Sequence, residues 1–263
     1  MSSFKDAAKL FNTSFEVDEY FSSVSASYVK SNLVMAIDAK DIPLMFLLGN
    51  PGTGKTYMLN LIKAEYIFKK LVLFSSEPFS SPESLMFFLL KNHKVDRDLS
   101  LNELKDRAIL AYENQDNIII IDEAQLLSHN VLEYIRILSD TGHFNFIISM
   151  HKDEGEEILS QQHFASRTHI ALSLEELETN EMLKYVQSHL FKNAMGEFIE
   201  LFTMKHMKQI QSYSKGNFRM LKQMVKHIFL ILDYARNNKY KKYCEPNKCV
   251  ITMAAIDLGI VHV

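Results

Sequence analysis

Gly49-Asn50-Pro51-Gly52-Thr53-Gly54-Lys55-Thr56 follows directly on the apolar run Leu44 to Leu48 and precedes residues Met58, Leu59, Ile62 and Tyr66, which recur at helical spacing. The octapeptide matches G-x-x-x-x-G-K-(S/T) in full, and its setting is the one the pattern needs: a buried strand before it, a helix after it. Glycines at 49, 52 and 54 let backbone amides converge on phosphate oxygens, and the start of the following helix adds the positive end of its dipole. Lys55 is then the group for the terminal phosphates, and the Thr56 hydroxyl is a ligand for Mg²⁺.

The second decisive stretch is Asn117-Ile118-Ile119-Ile120-Ile121-Asp122-Glu123-Ala124-Gln125. Four isoleucines make a strand, and two acids at its carboxyl end stand where open α/β sheets bind ligands. Asp122 suits the hydrated Mg²⁺, and Glu123 suits acceptance of a proton from an attacking water. The nucleotide expected is ATP. A guanine-reading N-K-x-D is missing, because Asn92-His93-Lys94-Val95-Asp96 has the wrong spacing and precedes the acidic strand, and Asp122 does not begin a D-x-x-G.

Further strands are expected at Leu71 to Phe74, Phe144 to Ile148 and His169 to Leu172, with helices at Ser22 to Lys40, Pro82 to Lys91, from Ser100 and at Leu126 to Asp140. Ser100-Leu101-Asn102-Glu103 reads as a capping box. Strands alternating with helices imply an α/β fold, a parallel five-stranded sheet flanked by helices. This domain takes residues 1–174, with an N-terminal helical segment. From residue 175 the pattern turns helical, at Thr179 to Lys192, Glu197 to Tyr213, Asn217 to Asn237 and after Thr252, so residues 175–263 are expected to form a small helical lid.

With 263 residues, 47% of them hydrophobic and 23% charged, the chain is long enough to bury a sizeable core. Cys244 and Cys249 are too few and too close for a disulfide framework, fit a reducing compartment, and lack the partners a structural zinc needs. No apolar run approaches the ~20 residues of a membrane span, and no secretory signal is read, so direct membrane insertion is not expected. The net charge is −3, but the segment from Thr203 to Lys248 carries +9 and leaves −12 for the remainder. That segment reads either as a solvated helical face or as a basic docking surface for DNA or an acidic partner. The methionines of the lid helices read as core.

Together with an arginine before the fifth strand, in His163-Phe164-Ala165-Ser166-Arg167-Thr168-His169-Ile170, and Gly216-Asn217-Phe218-Arg219 in the helical part, the two motifs resemble those of an AAA+ ATPase, a P-loop NTPase. Within that class the chain looks like the ExeA-type secretion ATPases and the TniB/TnsC-type transposition ATPases, from about Phe15 to Leu258. The resemblance implies ATP and Mg²⁺ held between subunits of an ATP-dependent homo-oligomer. It makes Arg167 the arginine finger of a neighbouring subunit and Arg219 the sensor 2 residue. Sensor 1 departs from the pattern: Ser149 and His151 stand where Asn or Thr is common, and His151 is preferred. The segment with Phe15, Tyr20 and Phe21 is expected near the adenine.

Two settings follow from the resemblance. One is a cytoplasmic ATP-driven switch for an envelope machine of the type II secretion, type IV pilus or DNA-uptake kind. ExeA-type proteins carry a membrane span and a periplasmic part, neither of which is expected here, so attachment to the inner membrane would run through a protein partner. The other is an ATPase of transposition or replication type that assembles on duplex DNA through its backbone, with weak sequence selectivity, and recruits a transposase-like factor. The envelope machine is the leading expectation and the DNA-bound ATPase the alternative, which the basic segment modestly favours; the odd sensor 1 leaves room for a scaffold that hardly hydrolyses.

Overall fold

Strand β1, Leu44–Gly49, is buried at every position, as an apolar run without alternation must be when it has a strand on each side and helices over the sheet. The computed structural model describes residues 3–12, 20–165 and 169–261. Along the chain, α1 (Phe4–Leu10) and α2 (Val24–Ala39) come before β1. After it stand α3 (Lys55–Tyr66), β2 (Leu71–Ser75), α4 (Pro82–Leu89), α5 (Leu101–Tyr112), β3 (Asn117–Ile121), α6 (His129–Ser139), β4 (Phe146–Met150), α7 (Lys152–Ser160), α8 (Gln162–Ala165) and β5 (Ile170–Leu174). The remaining helices are α9 (Thr179–Lys192), α10 (Met204–Ser214), α11 (Phe218–Asn237) and α12 (Lys248–Asp257).

The strands form one parallel sheet in the order β2-β3-β4-β1-β5. Leu47 is in register with Ser149, and Ile121 with Ile148. The carboxyl ends of β1, β3 and β4 therefore emerge together, with β4 in the middle. At the opposite edge the buried Asn117 holds β3 to β4: its side-chain amide donates to the His143 carbonyl at 2.8 Å and accepts from the Asn145 amide at 3.1 Å. That bond is why β4 starts at Phe146 and not at Phe144 as the pattern suggests. The Asn145 amide is already spent on a side chain.

Local chemistry sets the helix ends. The expected box at Ser100 forms, Ser100 accepting from the Glu103 amide while Glu103 accepts from the Ser100 amide. Leu104, Ala108 and Tyr112 recur every four residues and are the buried face of α5. The helix expected from Leu126 begins later. Glu123 takes a left-handed backbone, Ala124–Leu126 is a single 3₁₀ turn, Leu127 is extended, and Ser128 caps α6 by accepting from the Val131 amide. The stretch expected as one helix from Glu197 is likewise two pieces. A 3₁₀ segment, Gly196–Leu201, ends at an extended Phe202, and Thr203 with His206 caps α10.

The described chain divides into two compact units. Residues between Val24 and Pro51 and between Lys55 and Leu174 make the α/β unit; those up to Ser23, Gly52–Gly54 and those from Glu175 onward make the helical unit. The first helix corrects the expectation that placed it with the sheet. Phe4, Ala7, Ala8 and Phe11 are buried in the helical core, where Phe229 gathers Phe4, Phe11, Phe198 and Phe202 at ring separations of 5.5 to 6.1 Å. Aromatic burial of this size outweighs proximity along the chain.

Candidate nucleotide site

In the α/β unit the two ends of the phosphate loop, at Gly49 and at Lys55 with Thr56, meet the acidic strand end. Lys55, 5% exposed, turns its ammonium back onto the loop, donating to the Gly49 carbonyl at 2.7 Å and the Asn50 carbonyl at 3.3 Å. A buried lysine held on carbonyls is poised to trade them for phosphate oxygens. Thr56, in the first turn of α3, donates its hydroxyl to Asp122 Oδ2 at 2.7 Å. The two side chains read as metal ligands are thus in direct contact, and their oxygen chemistry suits a hard divalent cation such as Mg²⁺.

Asp122 is 3% exposed and has both oxygens engaged. While Oδ2 accepts from Thr56, Oδ1 accepts from the Ser149 hydroxyl and, at 3.0 Å, from the Glu123 amide. Ser149 is fully buried on β4 between the two other strand ends, and its Oγ also accepts from the Glu123 amide at 3.3 Å. This arrangement depends on Glu123, whose φ of +54° bends the chain sharply after β3. A left-handed backbone at a non-glycine residue is sustained by its surroundings, here the two hydrogen bonds that the Glu123 amide makes to Asp122 and Ser149.

The Glu123 carboxylate, unlike that of Asp122, is turned to the surface. Gln125 donates its side-chain amide to Glu123 Oε2, a contact that reading the residues one by one assigned to nothing, although the Asp-Glu-Ala-Gln string contained it. His151, the residue before α7, has Nε2 3.7 Å from Glu123 Oε2 and Nδ1 3.7 Å from Glu154 Oε1. Of the two sensor 1 candidates, Ser149 is the one on Asp122 and His151 the one beside Glu123.

In the helical unit, Asn217 caps α11 by accepting from the Met220 amide at 3.1 Å, and the next residues, Phe218 and Arg219, open the helix. The Arg219 amide donates to the Gly52 carbonyl at 3.2 Å. Gly52 has φ +85°, and a β-carbon there would stand 2.6 Å from Asn217 Oδ1, so both backbone and space demand glycine. Thr53 and Gly54 complete that turn, and the Arg219 side chain is exposed. Phe21 stands edge-on to Tyr185 at 5.4 Å within the helical core. Phe15 and Arg167 lie outside the described residues. Neither cysteine is in a disulfide, and no helix among the described residues is long and apolar enough to cross a membrane.

An interior β1 ending in a phosphate loop, with Asp122 and Glu123 just past the end of β3 beyond an intervening β4, is the α/β P-loop fold of AAA+ ATPases. Residues 40–159 match the family model of the AAA domain. Among solved structures, the chain is similar to the Aeropyrum pernix ORC2 protein in its ADPNP-ADP complexes, at 11% identity and a TM-score of 0.58, over 94% of this chain and 71% of that one. It is also similar to the Thermotoga maritima RuvB Holliday junction branch migration motor, at 15% identity and a TM-score of 0.57, over 93% and 72%. Domain III of the Thermotoga maritima replication initiation protein DnaA matches at 17% identity and a TM-score of 0.54, over 94% and 97%. A search of curated protein sequences found no match.

Proposed function

We propose that the chain binds Mg-ATP at the phosphate loop and hydrolyses it, as a switch that works in an oligomer and acts on nucleic acid. The observation that carries the first part is the chain of contacts Thr56 to Asp122 to Ser149, which holds the Asp122 carboxylate by both oxygens at the mouth of the loop. Thr56 and Asp122 would hold Mg²⁺, which offsets phosphate charge when bound. Lys55 exchanges the loop carbonyls for the terminal phosphates. Glu123, oriented by Gln125, takes the proton of the water that attacks the γ-phosphorus as the bridging P–O bond breaks, leaving ADP and inorganic phosphate. Ser149 is a positioning residue that acts through Asp122. His151, beside Glu123, is the polar side chain next to the attacking water.

Two arginines complete the site on the strength of the AAA+ resemblance. By that resemblance Arg219 contacts nucleotide from the same chain, and Arg167 serves the neighbouring subunit as its arginine finger. Binding and release of the γ-phosphate then govern assembly.

Of the two settings the resemblance implies, an envelope machine and duplex DNA, the charge favours DNA. Lys205, Lys208, Lys215, Arg219, Lys239 and Lys241 are all exposed in the helical unit, a density of cations that suits a polyphosphate backbone. The structural neighbours named above are, by their titles, a replication initiation protein, an ORC protein and a branch migration motor. The test is Mg²⁺-dependent ATP turnover with and without duplex DNA at low salt, Lys55→Ala serving as the blank. Stimulation that fades as salt rises supports the reading. Turnover indifferent to DNA moves the target to a protein, and turnover equal in Lys55→Ala overturns the site.

A further inference from the structure

The C-terminal end of α11 combines exposed aromatic rings with positive charge. Lys239 takes a left-handed backbone, φ +60°, and the chain doubles back, the Tyr240 amide donating to the Ala235 carbonyl at 2.8 Å and the Lys239 amide to the Arg236 carbonyl at 3.2 Å. This reversal carries the Tyr240 ring to 6.3 Å from that of Tyr234, at an interplanar angle of 36°. Helix ends of this kind commonly close on an apolar side-chain pair, and an aliphatic pair shielded from water would serve. Here both partners are tyrosines, 63% and 51% exposed.

Arg236, Lys239, Lys241 and Lys242 flank the two tyrosines along the chain, all exposed, and no acid occurs between Tyr234 and Cys244. The flanking acids are Asp233, which accepts from the Asn237 side chain at 3.1 Å, and Glu245. The Lys242 ammonium lies over the Tyr243 ring at 5.6 Å and the Arg236 guanidinium over Phe4 at 4.2 Å, so among the described residues these cations are held on rings.

Cations alone would fit any polyanion. Two exposed rings set among them fit a polyanion that also offers flat faces, which a duplex hides in its stack and an unpaired strand presents. We infer that this end of α11 binds single-stranded nucleic acid, with bases on Tyr234 and Tyr240 and phosphates on Lys239, Lys241 and Lys242. The inference rests on the nucleic-acid reading of the helical unit and specifies the kind of strand.

The test is fluorescence anisotropy of the full chain with a labelled oligothymidylate and with a duplex of the same length, across a salt series. The expected result is tighter binding of the single strand. Tyr234→Ala with Tyr240→Ala weakens it by about 30-fold or more, while the two Tyr→Phe changes, which keep the rings, leave it unaltered. Replacing Lys239, Lys241 and Lys242 by Ala lowers the slope of log affinity against log salt by about 0.7 for each phosphate no longer neutralised. Thermal melting of each variant establishes that it is folded. A duplex bound as tightly as the single strand, with the tyrosine variants silent, overturns the inference and leaves the duplex reading standing. Binding of neither probe overturns both. Displacement of the oligonucleotide by polyglutamate with the tyrosine variants matching the parent assigns the surface to an acidic protein and overturns the inference as well.

Discussion

Asp122 at the carboxyl edge of the sheet is 3% exposed with both oxygens bonded, whereas Tyr234, Arg236, Lys239 and Lys241 at the end of α11 face water. The first region keeps a charge buried by meeting every lone pair it needs, and such a group has one arrangement. The second keeps its charges solvated and uses their number. A single substitution at the sheet edge should therefore disable chemistry, while substitutions on α11 should act in proportion to how many are made and how much salt is present.

The widest separation between the regions is expected from Glu123→Gln. Turnover should fall on the order of 10²- to 10⁴-fold while ATP binding, followed by a fluorescent analogue, persists. Unchanged turnover would remove Glu123 from the mechanism. Next comes Ser149→Ala, which leaves Asp122 Oδ1 with the Glu123 amide alone; loss of a hydrogen bond to a charged group, about 1.5–3 kcal/mol, corresponds to roughly a 10- to 100-fold loss of turnover. His151→Ala should cost less, because its ring nitrogens stand 3.7 Å from their carboxylates, beyond hydrogen-bonding distance. The reverse order in a turnover assay would show that His151, and not the Ser149 to Asp122 contact, controls the site.

On the exposed side, Lys239→Ala, Lys241→Ala and Lys242→Ala should each leave stability within about 0.5 kcal/mol of the parent, read from chemical denaturation. A larger loss would mean that this end of α11 is structural. The smallest effect belongs to Asp6 in the first turn of α1. Its carboxyl is held down at about 2, chiefly by the hydrogen bond from Lys9 and then by that from Ser3. Because the folded value is depressed from 3.8, its stabilisation is present above that value and disappears as pH falls through about 2. The melting-temperature gap between the parent and Asp6→Asn should be small at pH 5 and vanish near pH 2; a gap that widens on acidification would refute the assignment.

Much of the α/β unit can be read along the chain because its signals are short-range. Leu44 to Leu48 and Ile118 to Ile121 announce buried strands by having no polar member, and the Ser100 to Glu103 box is complete within four residues. The errors share a cause as well. β4 starts two residues late because Asn145 bonds to Asn117, far off in sequence, and α1 joins the helical core because its phenylalanines meet Phe229. Gln125 lay inside the acidic motif, but its partner became visible only once Glu123 had turned.

By itself the sequence determined the phosphate loop, the two acids and the excess of cations near the C-terminus, since each is a matter of residue type and spacing within a few turns of chain. Only the tertiary structure decided that β4 runs between β1 and β3, that Ser149 thereby reaches Asp122, and that Tyr240 folds back onto Tyr234. Those outcomes depend on strand order, side-chain packing and a left-handed turn at Glu123 or Lys239. Such choices are made by the balance of many distant contacts, and no local pattern encodes them.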